Sequence, residues 1–177
     1  MKTQSKWIYV LIGNDRTGKT CFQKQLVKLL AHQDYDRLHC NLSFPIKHPH
    51  LIRKIETLSI GNRSIQEKLE IYKTVDDYFQ NHFKNADICV VSTHLSEADA
   101  RSIITNGQKK FYNVCAVFFS NSIEKQRQQN EEISVLNWDD RWVVANQTTE
   151  DEAQQMTQLN KAAESFVQIL IERTRGW

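Results

Sequence analysis

Residues 7–30 read WIYVLIGNDRTGKTCFQKQLVKLL, and this stretch decides the fold. The apolar run WIYVLI is rich in β-branched and aromatic residues, which predicts a buried β-strand. From about Gly18 to His32, apolar residues recur at helical spacing, which predicts an amphipathic helix. The polar loop between them carries an adjacent acid and base, Asp15 and Arg16. The sequence therefore predicts a strand, a glycine-containing loop and a helix in direct succession.

The rest of the chain continues to alternate apolar runs with helical patterns. Four further runs predict strands at residues 37–44, 87–93, 113–120 and 141–146. Helical spacing predicts helices over 65–83, after Ser96, around 123–132 and over 156–170. Continuous apolar runs are typical of strands that are buried on both faces. We therefore expect a single α/β domain over residues 1–177, with a five-stranded parallel sheet and helices on both faces.

Composition excludes several classes of protein. Charged residues make up 25% and apolar residues 40% of the 177 positions, which is near the globular average and unlike disordered or collagen-like chains. The net charge of +2 is too small to indicate a general nucleic-acid binder. The four cysteines, at Cys21, Cys40, Cys89 and Cys115, form no C-x-x-C pair and are expected to be reduced thiols.

The sequence gives no sign of a membrane segment. The stretch MKTQSK lacks the apolar part of a signal peptide, and no run approaches the ~18 apolar residues of a membrane helix. We therefore expect a cytoplasmic protein without a membrane partner.

The loop after the first predicted strand matches the phosphate-binding pattern G-x-x-x-x-G-K-[ST]. Its glycines let backbone N–H groups curl round a polyphosphate, and the following helix adds its positive end. Lys19 is expected to reach the outer phosphates, and Thr20 to offer its hydroxyl to Mg²⁺. ATP with Mg²⁺ is therefore the predicted cofactor, bound by Gly13, Asn14, Asp15, Arg16, Thr17, Gly18, Lys19 and Thr20.

The two charges inside the loop require a separate explanation. A carboxylate opposes phosphate binding, so Asp15 is expected either to face away from the phosphates or to accept a hydrogen bond, for example from a substrate hydroxyl. The Arg16 guanidinium suits the charge that spreads over a transferred phosphoryl group. A local ion pair that stiffens the loop, or simply solvated charges, would also account for them.

The segment GNDRTGKT resembles the phosphate loop of the thymidylate kinases, several of which carry G-x-D-R-x-G-K-[ST]. In that family the loop aspartate contacts the sugar hydroxyl of the acceptor nucleotide, and the arginine lies against the transferred phosphoryl group. The resemblance implies these roles for Asp15 and Arg16, together with a P-loop kinase-like three-layer fold. It also implies that Phe44 and Pro45 line the acceptor pocket.

The sequence departs from the family pattern at two places. The family reads Arg-Phe-Pro where this chain has Ser43 before the phenylalanine. The Asp-Arg pair expected after the third strand is replaced by Ser92 and Thr93, with His94 next. These three residues could instead supply hydroxyl and imidazole groups to an active site. The departures leave the acceptor and the catalytic competence of the chain open.

Several basic residues are candidates to replace the missing groups, each with a plainer alternative. Arg101 could reach the carboxyl ends of the strands, or be a solvated helix charge. Arg127 could belong to a lid over the phosphates, or to an exposed polar helix. The segment 141–146, with Trp142, could contact the donor purine, or contribute a core tryptophan. A basic cluster could meet an acceptor phosphate or a nucleic-acid backbone, or be solvated; it comprises Lys47, His48, His50, Arg53 and Lys54.

The leading hypothesis is an ATP-dependent phosphotransferase of the nucleoside or nucleoside-monophosphate kinase type. Lys19, Arg16 and Asp15 are the predicted catalytic residues, and a nucleotide-type small molecule is the predicted acceptor. A catalytically weak nucleotide-binding protein that acts through a protein partner is one alternative. A polynucleotide end kinase, with nucleic acid as its partner, is another. The hypothesis is also compatible with a homodimer.

Overall fold

The stretch at residues 7–30 forms the centre of the fold, as its sequence predicts. In the computed structural model, which describes residues 5–175, strand β1 spans Lys6–Ile12 and helix α1 spans Lys19–Ala31. Strand β1 lies between two parallel neighbours, so its last five residues are buried. Residues 1–4, which belong to the stretch considered above for a signal peptide, lie outside the described residues.

The sheet has six strands in the order β2-β3-β4-β1-β5-β6. Five of them run parallel, and β2 runs antiparallel to β3 at one edge. The other strands are β2 (Leu42–Pro45), β3 (Thr57–Ile60), β4 (Ile88–Thr93), β5 (Tyr112–Phe119) and β6 (Asp140–Val144).

The prediction of five parallel strands is therefore wrong in two respects. Strand β3 was missed because it has only four residues, TLSI, in which apolar and polar side chains alternate. The strand predicted at 37–44 is shorter and antiparallel, with Leu42 opposite Ile60 and Pro45 opposite Thr57. The direction of a strand is set by its pairing with a distant segment, and the spacing of apolar residues carries no information about that direction. The loop 46–56 consequently lies at the amino ends of the parallel strands, opposite the glycine loop.

The helices follow the predicted places but are more broken than predicted. The region 65–83 contains a 3₁₀ helix (Ile65–Lys68), α2 (Leu69–Tyr72), α3 (Val75–Asp77) and a π-helical turn (Tyr78–His82). It breaks at Lys73, whose φ is +58°, and at the extended Thr74, whose hydroxyl caps α3. The remaining helices are α4 (Glu97–Lys109), α5 (Ser120–Lys125), α6 (Arg127–Ser134) and α7 (Glu152–Arg173).

Hydrophobic cores lie on both faces of the sheet, which confirms the predicted helices on both sides. On one face Phe22 of α1 and Phe166 of α7 pack edge to face, with ring centroids 6.0 Å apart. On the other face Ile103 of α4 and Phe79 join the buried side chains of the strands. Among the helices within residues 5–175, none has the length and apolar character needed to cross a membrane.

Candidate phosphate-binding site

The glycine loop makes a tight turn at the carboxyl end of β1. The Gly13 N–H donates to the Thr93 carbonyl of the neighbouring strand at 3.2 Å. Arg16 and Gly18 have left-handed backbones, with φ of +62° and +99°. A side chain at Gly13 would place its Cβ 2.9 Å from Cγ2 of Thr17. Residues of alternating handedness turn successive N–H groups toward one side, which makes an anion-binding concavity.

Lys19 is buried inside this loop rather than extended into solvent. Only 8% of it is exposed, and its Nζ donates to the carbonyl oxygens of Gly13 and Asn14, the latter at 2.8 Å. Burial lowers the pKa of Lys19 from 10.5 to about 8, although the charges of Glu67 and Asp15 act in the opposite direction. The ammonium group is thus held at the loop by weak carbonyl acceptors that an anion would replace.

Two buried asparagines support the loop from behind. Nδ2 of Asn121 and Nδ2 of Asn146 donate to the Thr17 carbonyl at 3.3 and 2.9 Å. Their exposed fractions are 5% and 1%, and among the described residues neither Oδ1 has a hydrogen-bond partner. The sequence offered a purine contact as one alternative for the segment 141–146, which contains Asn146, and did not point to Asn121. Their position just beyond β5 and β6 was the available signal, since ligands bind outside the carboxyl ends of parallel strands.

A cleft of about 650 Å³ opens in front of the loop. Residues 15–20 form its floor, and Arg63, Glu67, Asn121, Lys125 and the segment 147–150 complete its walls. The helix that follows β1 packs on one face of the sheet, whereas the helices that follow β4 and β5 pack on the other face. Such a divergence is the usual ligand site of open α/β sheets. The cleft is large enough for a nucleotide. Its lining carries four cationic side chains, Arg16, Lys19, Arg63 and Lys125, and four carboxylates, Asp15, Glu67, Glu150 and Glu152.

On one side of the cleft, Asp15 meets two residues from distant parts of the chain. Nε2 of His94 lies 3.4 Å from Oδ1 of Asp15 and 3.6 Å from Oε1 of Glu67. Nη1 of Arg63 binds Oε2 of Glu67 at 2.9 Å, and the Ser64 hydroxyl donates to Oε1 at 2.9 Å. Burial raises the pKa of Glu67, but the hydrogen bonds from Arg63 and Ser64 outweigh it and leave the pKa below its ordinary value. The partner of Asp15 is thus His94 and not Arg16.

Glu67 and Arg63 were missed by sequence analysis. Both belong to a segment that the sequence presents as the start of a helix, with no motif of its own. The short strand β3, which brings this segment to the carboxyl edge of the sheet, was also missed. Because the sequence did not predict β3, nothing in the sequence indicated that the Arg63 and Glu67 side chains lie next to the loop.

Ser92 and Thr93 are buried, whereas His94 is partly exposed. The two buried hydroxyls accept hydrogen bonds from Nε2 of Gln23 at 3.2 Å and Nε2 of Gln66 at 2.9 Å. Of these three residues, His94 is the one that contacts Asp15 of the loop.

The predicted acceptor residues Phe44 and Pro45 lie away from the cleft. Phe44 is buried in the core and packs edge to face on Tyr35, with centroids 5.7 Å apart. Pro45 pairs with Thr57 at the amino end of β3. Their position follows from the direction of β2. Because β2 runs antiparallel to β3, it ends where the parallel strands begin, and the glycine loop lies where they end.

The basic cluster of residues 47–54 lies at that same far edge. The Lys47 N–H donates to the Leu30 carbonyl at the end of α1, at 2.7 Å. Nζ of Lys54 donates to the Thr174 carbonyl beyond the end of α7, at 3.0 Å. The cluster therefore cannot serve an acceptor held at the loop.

Arg101 and Arg127 are exposed and paired within their own helices. Nη2 of Arg101 lies 2.6 Å from Oε1 of Glu97, and Nη1 of Arg127 lies 3.9 Å from Oε1 of Glu131. Neither lines the cleft, whereas Lys125 does.

Trp142 is half-buried at the border of one core. Its ring packs against Phe22 and Phe166, with centroids 5.9 and 5.6 Å away, and also lines a separate surface pocket with residues of α7.

No protein-family model and no curated protein matches this chain. Among solved structures it is similar to a "De novo designed PLOOP2X3_50 fold protein" determined by solution NMR, at 14% identity over 93% of this chain and 96% of that chain, with a TM-score of 0.40. A second de novo designed protein matches at 15% identity over 91% of each chain, also with a TM-score of 0.40. At this level of similarity neither structure carries an argument about function.

Proposed function

We propose that this protein binds a nucleoside triphosphate in the glycine loop and transfers its terminal phosphoryl group to a nucleotide-type acceptor. The observation that carries the proposal is the position of Lys19. Its buried ammonium group is held at the concave turn of the loop by backbone carbonyls, beside the cleft of about 650 Å³. A cation that is buried without a carboxylate partner gains most from an anionic ligand.

The donor side of the reaction rests on residues 13–20. Backbone N–H groups of the loop and the first turn of α1 bind the phosphates, since no side chain caps that helix within the described residues. Arg16 stabilises the charge on the transferred group. Thr20 lies in the first helical turn and lines the cleft, so its hydroxyl fits a Mg²⁺ ion that accompanies the triphosphate. When bound, this ion neutralises charge on the phosphates.

The acceptor side faces Asp15, Glu67 and His94. The carboxylates of Asp15 and Glu67 repel a phosphate but accept a hydrogen bond from a hydroxyl. The Arg63 guanidinium is engaged by Glu67, which reduces its availability to an acceptor phosphate. A nucleoside hydroxyl is therefore favoured over a nucleoside monophosphate. A carboxylate that accepts this hydrogen bond would orient the oxygen for attack on the γ-phosphorus and take its proton, while the bond from the γ-phosphorus to the bridging oxygen breaks and the nucleoside diphosphate leaves.

Two measurements test the proposal. Calorimetry should detect ATP binding to the native protein, a loss of affinity of at least about a hundredfold in Lys19→Met, and little change in the control Lys28→Met. Lys28 is on the same helix but pairs with Asp34 on the surface. Radiolabelled γ-phosphate should then appear on nucleosides in a screen that also includes nucleoside monophosphates and oligonucleotide 5′ ends. Absence of ATP binding would refute the proposal.

A second candidate is a nucleotide-binding protein that acts through a protein partner. It is favoured by the end of β4, where the buried Ser92 and Thr93 hydroxyls are engaged by glutamines and offer no acidic group. In that case nucleotide changes partner capture by the native protein but not by Lys19→Met, and no acceptor in the screen becomes labelled.

A further inference from the structure

Three side chains beside the glycine loop bring possible metal-ligand atoms close together. They are Asp15 in the glycine loop, Glu67 in the 3₁₀ helix and His94 after β4, and their ligand atoms all lie within 4.8 Å of one another. These residues are separated by 52 and 27 positions in the sequence, so only the tertiary fold assembles them. Two carboxylates and an imidazole from separate elements are a donor set that divalent transition metals accept.

The separations between the three proposed ligands are longer than good hydrogen bonds, although Nε2 of His94 also lies 3.1 Å from the Ser64 hydroxyl, a contact that a bound ion would have to replace. Nε2 of His94 lies 3.4 Å from the Asp15 carboxylate and 3.6 Å from the Glu67 carboxylate. N–H···O bonds usually measure about 2.7–3.2 Å. Ligand atoms at about 2.0–2.2 Å from a tetrahedral zinc ion are about 3.3–3.6 Å apart. These two separations match two edges of a tetrahedron around a shared ion, and the two carboxylates lie within 4.8 Å of each other.

The surroundings hold the three ligands in place. Arg63 binds one oxygen of Glu67, and the buried Ser64 hydroxyl donates to the other, so the carboxylate has a defined orientation. The His94 N–H donates to Oε1 of Gln66 at 3.2 Å, which anchors the backbone of the histidine. Such supporting hydrogen bonds are typical of metal ligands.

We propose that Asp15, Glu67 and His94 bind a divalent transition-metal ion, with zinc the best match, and leave its fourth coordination position open to the cleft. The imidazole favours zinc over magnesium, whose preferred ligands are oxygen atoms. The two carboxylates supply the negative charge that offsets the ion. The ion would use the same carboxylates, those of Asp15 and Glu67, that face the acceptor hydroxyl in the proposed function, so the ion and the hydroxyl are alternative ligands of these groups. Binding of the ion requires neither nucleotide nor catalysis.

The test uses nucleotide-free native protein and the metal alone. Calorimetry with Zn²⁺ should show one site, and Co²⁺ should give the visible absorption bands of a four-coordinate complex, which Zn²⁺ displaces. His94→Gln and Glu67→Gln should each weaken Zn²⁺ binding by at least about tenfold. The matched control is His82→Gln, since His82 has a similar exposure and, within residues 5–175, pairs with the carboxylate of Asp77 alone, at 3.8 Å.

Asp15→Asn keeps the test decisive if another variant fails to fold, because the Asp15 side chain is 79% exposed and its replacement leaves the core intact. Thermal melting checks the fold of each variant. Absence of Zn²⁺ binding to the native protein would overturn the proposal. Equal binding by the native protein and all three ligand variants would also overturn it, because the ion would then be bound elsewhere, for example at the exposed Cys40 thiol.

Discussion

The pH dependence of nucleotide binding gives the sharpest test of the buried lysine. Burial places the pKa of Lys19 at about 8 in the ligand-free protein, instead of 10.5. Only the protonated ammonium attracts phosphates, so the free protein must take up a proton to bind them above this pH. Affinity is therefore highest below about pH 8 and falls as the pH rises.

The magnitude follows from the protonated fraction. With a pKa of about 8, roughly nine-tenths of the free protein holds the proton at about pH 7, and roughly one-tenth at about pH 9. The dissociation constant for ATP should therefore rise about tenfold between these two pH values. An ordinary, exposed lysine would leave it almost unchanged over the same range.

Calorimetry at several pH values measures this change. Repeating each titration in two buffers of different ionisation enthalpy gives the number of protons taken up, which should approach one near about pH 9. The control is Lys19→Arg, whose guanidinium stays charged throughout and whose affinity should not follow the same slope. A flat profile in the native protein, or the same slope in the arginine variant, would refute the reasoning.

Three other substitutions test the fold, two at the loop and one at the distant Phe44. Gly18→Ala should destabilise the protein by about 1–2 kcal/mol in urea unfolding, because φ is +99° and the new Cβ would lie 3.1 Å from Leu159. Asn146→Ala should cost about 1–3 kcal/mol and weaken ATP binding, because the Thr17 carbonyl loses its 2.9 Å donor; unchanged affinity would mean that the loop keeps its shape without it. Phe44→Ala should lower stability by about 3–5 kcal/mol but leave acceptor KM unchanged, whereas a raised KM at intact stability would restore its predicted role in the acceptor pocket.

The errors in the fold predicted from the sequence have one physical origin. Strand β3 is four residues long with alternating polarity, so it gives little signal above that of a loop. Its place between β2 and β4 nevertheless carries the following 3₁₀ helix to the carboxyl edge of the sheet. Because the sequence did not predict β3, it also did not predict that Glu67 lies near the loop. The reversed direction of β2, equally invisible in periodicity, removed Phe44 from the expected acceptor pocket.

The sequence by itself determined the centre of this protein. Residues 7–30 carry a buried strand, a glycine loop with a lysine and an amphipathic helix, because each depends on local spacing and on backbone freedom at specific glycines. The tertiary structure alone decided what faces the loop. Strand order and direction result from packing between distant segments, and they placed Glu67 and His94 opposite Asp15 while moving the basic cluster of residues 47–54 to the far edge of the sheet.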